Sequence, residues 1–316
     1  MNRTAFADYA CFGHWALALQ SNGYKQLAVA QANVYDMDDH KDSKDIHEAN
    51  FQHVQWVNMA KTDSNMPYRP DMMVGSPPCI GMSGANPKAG PDHPANINFR
   101  RFWHDVAKVK PDDFIVEICE PVFTRGAALL AAGMNEVKKA GYDVIWSTFN
   151  VEDYGSPSIR RRPYFFGSRH LNRSSMDEAF AGLKPEKRTG CKDVLKDLEA
   201  EWDSARPDNV MLMSKYTVDG RRRMGPFRTL TDNRRVLDPT RPSPTVTGFL
   251  CESVFHYSRE RLLAVPEIMR LMGFPDDFKF NPQNKRMNTV RYTKMIASGV
   301  QIDFTTKLLR RIKRFI

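Results

Sequence analysis

The chain has 316 residues, enough for one large domain or a large domain with a small companion. A hydrophobic fraction of 41 % suffices for a packed core, and no apolar run reaches the length of a membrane span. Lys and Arg number 46 against 37 Asp and Glu, and the resulting net charge of +9 points to a polyanionic partner. The N-terminus has no basic segment followed by an apolar stretch, so no secretion signal is expected. The cysteines are Cys11, Cys79, Cys119, Cys191 and Cys251. Their odd number and the lack of any Cys-x-x-Cys spacing argue against a disulfide framework and a zinc site. No metal centre is expected, and a cytoplasmic location fits free thiols.

Taken in order, residues 3–8 predict a short strand and residues 15–22 a helix ended by Gly23. A second strand is expected over 27–30, followed by a polar, acidic stretch at 36–39. A third strand falls at 71–74, a helix at 102–109, and an apolar strand at 114–119. A helix over 127–140 closed by Gly141, a strand at 144–147 and a late strand at 162–167 complete the regular part. Alternating strands and helices imply an α/β fold with a doubly wound, mostly parallel sheet. From about 170 the alternation gives way to prolines, basic residues and short segments. Residues 258–275 then read as a helix, and a basic helix runs from about 304 to the end.

Gly75-Ser76-Pro77-Pro78-Cys79 follows the apolar run Met72-Met73-Val74. Proline fixes its own φ and restricts the residue before it, so Cys79 sits on a stiff turn at the end of a buried strand. Open α/β sheets bind ligands at that edge. A thiolate there can act as a nucleophile, and a small buried apolar cysteine is the alternative. Glu117 lies inside an apolar strand, where a carboxylate needs a partner. Glu120, beside Pro121, is the other acid of that region. Arg160 and Arg162 alternate on a strand edge and are either site residues or surface charges. Between Arg206 and Arg241 lie Arg221, Arg222, Arg223, Arg228 and two further arginines, with Tyr216 and Phe227 among them. That mixture suits phosphate contact and stacking, or else forms a solvated basic surface.

In order along the chain come Pro77-Pro78-Cys79, Phe114-Ile115-Val116-Glu117, Tyr154-Gly155-Ser156-Pro157-Ser158-Ile159-Arg160-Arg161-Arg162, Arg241-Pro242-Ser243-Pro244-Thr245-Val246 and Gly273-Phe274-Pro275. This series resembles the cytosine-C5 DNA methyltransferase family, of the compact bacterial or phage type, across almost the whole chain. The resemblance implies a Rossmann-like fold of the S-adenosylmethionine-dependent methyltransferase type. It implies a catalytic and cofactor-binding domain over 1–169 and 289–316, with a small target-recognition domain over 170–288. Cys79 would attack carbon 6 of a flipped-out cytosine, Glu117 would engage N3 and the exocyclic amine, and Arg162 and Arg160 would hold the O2 edge and the glutamate. Carbon 5 would take a methyl group from S-adenosylmethionine. The Arg241-Pro-Ser-Pro-Thr segment would position the recognition domain and the arginines.

The cofactor segments depart from the family pattern. The Phe-x-Gly-x-Gly turn falls on Tyr9-Ala10-Cys11-Phe12-Gly13, where Cys11 replaces the first glycine. Gln31 stands where an acid would take the ribose hydroxyls, and Asp45 and Ile46 would receive the adenine. Ala297-Ser298-Gly299-Val300 replaces Gly-Asn-x-Val, and Ile80 and Ile118 replace a glutamine and an asparagine. The expected cofactor contacts are Tyr9, Gly13, Gln31, Asp45, Ile46, Pro78, Ser298 and Val300. The expected DNA contacts are Ser83, Arg221, Arg222, Arg223, Arg228 and Arg241. The resemblance implies double-stranded DNA as the partner, bound by a monomer. Open alternatives are a tRNA cytosine, a modified S-adenosylmethionine as donor, and a catalytically weak DNA-binding homologue.

Overall fold

The computed structural model describes residues 3–11, 13–31, 37–58, 69–83, 86, 88–198, 235–248, 250, 254–258, 262–279 and 289–316. The first half runs β1 (Thr4–Asp8), α1 (His14–Gln20), β2 (Lys25–Gln31), α2 (Met37–Asn50), β3 (Gln55–Asn58) and β4 (Met72–Gly75). Then follow α3 (Asn96–Val109), β5 (Asp113–Glu117), α4 (Ala127–Lys139), β6 (Asp143–Asn150), β7 (Arg161–Ser168), α5 (Arg173–Ala181) and α6 (Cys191–Leu195). The remainder comprises β8 (Arg235–Val236), β9 (Val254–Phe255), α7 (Val265–Leu271), α8 (Thr289–Ala297) and α9 (Ile302–Ile312).

Seven strands form one sheet in the order β3-β2-β1-β4-β5-β7-β6. All neighbours are parallel except β7, which is antiparallel to both β5 and β6. The expected doubly wound, mostly parallel α/β sheet is therefore present. Strand alternation explains its two faces. Ala5, Ala7, Met72, Val74, Ile115, Tyr164 and Phe166 join one apolar cluster with residues of α1, α5, α7 and α9. Phe6, Met73, Phe114, Val116 and Phe165 point the other way, into a cluster with Phe99, Phe102 and Trp103 of α3 and Val137 of α4. The chain winds from β1 outward to β3, then returns to β4 on the other side of β1. This places a topological switch point between β1 and β4, where α/β sheets open a ligand crevice.

Three elements differ from the sequence reading. Residues 37–39 of the polar stretch open the helix α2, and the edge strand β3 follows it. The helix expected from 258 is confined to Val265–Leu271, because Val254–Phe255 is a strand, Leu262 bridges to Phe255, and Pro266 opens the helix. The last helix packs on α1 and α5. Phe304 there meets Phe149, Tyr154 and Tyr164, while Tyr164 Oη and Thr305 Oγ1 lie 3.0 Å apart. Beyond residue 169, α5 packs on β6, and its Met176, Ala179 and Phe180 enter the same core.

Candidate active site

The turn after β4 is held from three sides. Trp15, fully buried on α1, donates its indole N–H to Ser76 Oγ at 2.9 Å. Gly75 lies so close to β1 and α3 that a Cβ there would come within 2.6 Å of the Asp8 carbonyl oxygen and 2.5 Å of Phe102. Beyond the prolines, the Cys79 carbonyl accepts from the amides of Met82 and Ser83, both at 2.9 Å. The following loop is fastened by Arg125, which donates to the Ser83 carbonyl at 3.1 Å, and by Asn96, which donates to the carbonyls of Gly90 and Pro91. Cys79 is thus half-buried on a rigid turn at the carboxyl edge of the sheet.

Glu117 ends the neighbouring strand β5 and is 5 % exposed. Its Oε1 receives two guanidinium groups: Arg160 Nη2 at 3.4 Å and Arg162 Nε at 3.1 Å. Arg160 is buried and also donates to the Gly299 carbonyl at 2.7 Å and the Ala297 carbonyl at 3.4 Å. Burial and the like charge of Arg162 draw its guanidinium below the usual value, with Glu117 opposing them. Its backbone is placed by the segment at 154–160. Ile159 donates its amide to the Ser243 carbonyl and Ser243 donates to the Pro157 carbonyl, both at 2.8 Å. Ser158 Oγ donates to Gln301 Oε1 at 2.9 Å. The Arg241-Pro-Ser-Pro-Thr segment is therefore zipped onto the loop that aims the arginines. Arg241 itself is exposed, with Asp238 Oδ2 at 3.5 Å.

Electrostatics favour a thiolate at Cys79. A hydrogen bond from Cys119 is the largest influence holding its thiol below the ordinary value, and Arg162 and Arg160 act in the same direction against burial and Glu117. Cys119 itself is pushed up, first by its bond to Cys79 and then by burial. Sequence reading counted Cys119 without assigning it a role. Only the fold brings a residue two past Glu117 onto the Pro-Cys turn. Glu120 points elsewhere and pairs with Arg161 at 2.9 Å.

The cofactor expectations fare unevenly. At the switch point Tyr9, Cys11 and Gly13 have φ values of 51°, 56° and 148°, a sharply bent turn at the end of β1. Tyr9 is buried against α3, where its hydroxyl donates to Asn98 Oδ1 at 3.4 Å. Cys11 is buried, and burial pushes its thiol up to about 11 against a hydrogen bond from Ser298. Two of the departures from the family pattern therefore touch. Ser298 Oγ also donates to the Met295 carbonyl at 2.7 Å, and Val300 is fully buried beside it. Pro78 is half-buried on the Cys79 turn. Gln31 closes β2 at the same edge, in register with Asn58 of β3.

Asp45 and Ile46 require correction. They lie within α2, before β3, and Ile46 is 1 % exposed in the apolar core. A side chain packed there does not face a ring at the strands' carboxyl ends. The segment that follows a strand at that edge begins after Asn58, which the sequence reading missed together with β3. Ser83 lies beside the nucleophile turn, whereas Arg221, Arg222, Arg223 and Arg228 lie outside the described residues. Among the described residues no cluster of three or more His, Cys, Asp or Glu side chains could hold a metal, and no helix is long and apolar enough to cross a membrane.

Comparison with known proteins agrees with this geometry. The chain is 26 % identical over 298 residues to the Type II methyltransferase M1.HphI of Haemophilus parahaemolyticus, covering 89 % of this chain and 80 % of that one. It is 25 % identical over 267 residues to M.FnuDI of Fusobacterium nucleatum, covering 77 % and 76 %. Among solved structures, a putative DNA modification methyltransferase encoded within an E. coli prophage superposes with a TM-score of 0.75 at 17 % identity, over 99 % of both chains. The Dnmt2 methyltransferase of S. pombe gives 0.69 at 14 % identity, over 98 % and 97 %. The family described as C-5 cytosine-specific DNA methylase matches residues 9–314, so nearly the whole length is accounted for and the chain belongs to that family.

Proposed function

We propose that this protein methylates carbon 5 of cytosine in double-stranded DNA through a covalent bond between Cys79 and carbon 6. The observation that carries this reading is the convergence of Arg160 and Arg162 on one oxygen of Glu117, beside a thiol shifted toward its thiolate. The Cys79 thiolate adds to carbon 6, and the ring electrons it displaces make carbon 5 nucleophilic. The Glu117 carboxyl meets the N3 and amine edge of the base, where charge changes during addition. Arg162, a quarter exposed, faces the O2 edge. Arg160 is a positioning residue that holds Glu117 and the turn at 297–299 together. Once carbon 5 is substituted, its proton leaves to a base, the electron pair reforms the ring double bond, and Cys79 departs. A base inside a duplex cannot reach this site, so the cytosine is flipped out.

The crevice at the β1/β4 switch point suits the donor. Tyr9, Gly13, Gln31, Pro78, Ser298 and Val300 would hold S-adenosylmethionine, which supplies the methyl group when bound. The Cys11–Ser298 contact favours a second reading for the donor alone, an S-adenosylmethionine with a modified methyl group. Weak binding of S-adenosylmethionine beside tight binding of such a sulfonium would support it. Residues 170–288 form the recognition region, where Arg221, Arg222, Arg223 and Arg228 neutralise phosphates together with Arg241 and Ser83. The protein acts as a monomer in the cytoplasm. Labelled-methyl transfer to duplex DNA against tRNA separates this reading from a tRNA methyltransferase.

The deciding experiment incubates the protein with S-adenosylmethionine and duplex DNA in which 5-fluorocytosine replaces cytosine. Fluorine cannot leave as a proton, so the adduct persists on a denaturing gel. Wild type should give a shifted band and Cys79→Ser none. A band undiminished in Cys79→Ser, or no band with any cytosine-containing sequence, overturns the mechanism.

A further inference from the structure

Gln301 is fully buried at the N-cap of α9, a position whose side chain commonly accepts a backbone N–H of the first turn. Its side chain makes no such bond, and the amide is used sideways instead. Nε2 donates at 3.0 Å to the carbonyl of Leu271, the last residue of α7. That carbonyl can only accept, so the amide nitrogen faces it and Oε1 is turned toward Ser158. Ser158, also fully buried, donates its hydroxyl to Oε1 at 2.9 Å. Two residues further along, Arg160 Nη2 donates to the Gly299 carbonyl at 2.7 Å. The segments 158–160 and 299–301 are thus cross-linked twice, by Ser158 with Gln301 and by Arg160 with Gly299.

We propose that Ser158 and Gln301 are positioning residues that set the reach of Arg160 to Glu117. The proposal rests on Glu117 acting on the flipped cytosine beside Cys79. Arg160 uses the same nitrogen, Nη2, for Gly299 and for Glu117. The bond to Gly299 is short, whereas the one to Glu117 Oε1 is 3.4 Å, at the outer limit of a hydrogen bond. A small slide of the 158–160 segment therefore breaks the long contact while the short one survives. The carboxylate is then left to Arg162 alone. The Ser158–Gln301 bond opposes that slide.

Gln301 can serve as a fixed reference because its own surroundings hold it. Its carbonyl accepts from the Thr305 amide at 2.9 Å, and the next amide, of Ile302, donates to the Met272 carbonyl at 3.1 Å. The backbone of the arginine segment is held elsewhere. The Arg160 carbonyl accepts from the Val151 amide at 3.0 Å, the Arg160 amide donates to Glu152 Oε2 at 3.3 Å, and Ile159 bonds Ser243. Those bonds fix the segment to its neighbours at 151–152 and 243. The turn that carries Gly299 is reached by the side chains of Ser158 and Arg160.

The test follows adduct formation by the full-length protein on 5-fluorocytosine duplex DNA with S-adenosylmethionine. It reads the rate constant at saturating DNA, the DNA concentration that gives half that rate, and a urea midpoint. Ser158→Ala should lower the saturated rate constant about tenfold and leave the half-saturating DNA concentration unchanged, because a displaced guanidinium acts on the addition step. Gln301→Met, which removes the acceptor, should slow the reaction to a similar extent. Since both act through one bond, the double variant should also lose about tenfold, not the roughly hundredfold of independent sites. A purely structural bond would lower the urea midpoint and leave the rate constant of the folded protein at its wild-type value. A wild-type rate constant in Ser158→Ala therefore overturns the proposal, and that result does not need Gln301→Met to fold. A roughly hundredfold loss in the double variant also overturns it. No band in wild type defeats the nucleophile reading and this proposal with it, whereas a wild-type band that Ser158→Ala forms equally fast defeats this proposal alone.

Discussion

Arg160 and Arg162 share a carboxylate oxygen, yet burial gives them different work. Arg160 is 4 % exposed and binds Glu117 and the carbonyls of Ala297 and Gly299, so its removal leaves Glu117 with Arg162 alone and takes a charged donor from both carbonyls. Breaking a buried charge pair by removing one partner costs about 3–5 kcal/mol. Arg160→Met should therefore lower the urea midpoint sharply and abolish adduct formation. Arg162→Met should slow adduct formation while leaving the midpoint near wild type, since Arg162 is a quarter exposed and also makes a local bond, to the Arg161 carbonyl. Equal losses of stability in the two variants would refute this division. At this scale the sequence was most readable where chemistry restricts residue type. A buried glutamate in an apolar strand and alternating arginines have few uses, whereas Cys119 looks like any small apolar residue until the fold sets it against Cys79.

Elements were legible in proportion to their apolar pattern. β1, β2, β4, β5 and β7 carry buried residues on both faces, β6 buries Ile145 and Phe149 on one, and all stand out from the intervening helices. In contrast, α2 reads MDDHKDSKDIHEAN, with Ile46 and His47 as its core-facing anchors among mostly charged residues, and β3 is a four-residue edge strand. Neither shows a periodicity strong enough to declare itself, so nothing in the sequence sets Asp45 and Ile46 apart from an adenine-binding segment. β4 shows the opposite case, in which one residue type is dictated by packing. A Cβ at Gly75 would meet the Asp8 carbonyl of the adjacent strand, which cannot rotate away, as well as the Phe102 ring. Gly75→Ala should cost about 1–3 kcal/mol by overpacking, and relief of the clash must move the turn that carries Cys79. A lower thermal midpoint together with slower adduct formation is expected. A variant with wild-type values for both would show that the strands can separate without disturbing the site.

At the scale of the molecule, the two ends of the chain close on each other, and a buried histidine marks the seam. His14, at the start of α1, is fully buried and donates from Nε2 to the Ile296 carbonyl of α8 at 2.9 Å. Burial lowers its pKa to about 3, and that of His47 on α2 to about 4. Both are neutral in the folded protein at neutral pH, whereas an unfolded histidine titrates near 6.5. Below that value the unfolded chain binds more protons than the folded one. Their contribution to stability is therefore complete above about 6.5 and is lost as pH falls toward the folded values, at up to about 1.4 kcal/mol per pH unit for each histidine. Asp8 works in the opposite sense. Burial and the nearby Asp105 raise its pKa, so its contribution is complete below about 3.9 and is lost as pH rises through the folded value. The net pH profile mixes both slopes, and only a difference isolates the seam. His14→Gln keeps a donor for the Ile296 carbonyl without a titrating ring. Urea midpoints measured for wild type and His14→Gln between about pH 4.5 and 7.5 should converge toward the acid end, because wild type loses stability there and the variant does not. A constant gap across that range would mean that His14 remains as hydrated when folded as when unfolded, which its burial beneath Phe274 and against Gly299 contradicts.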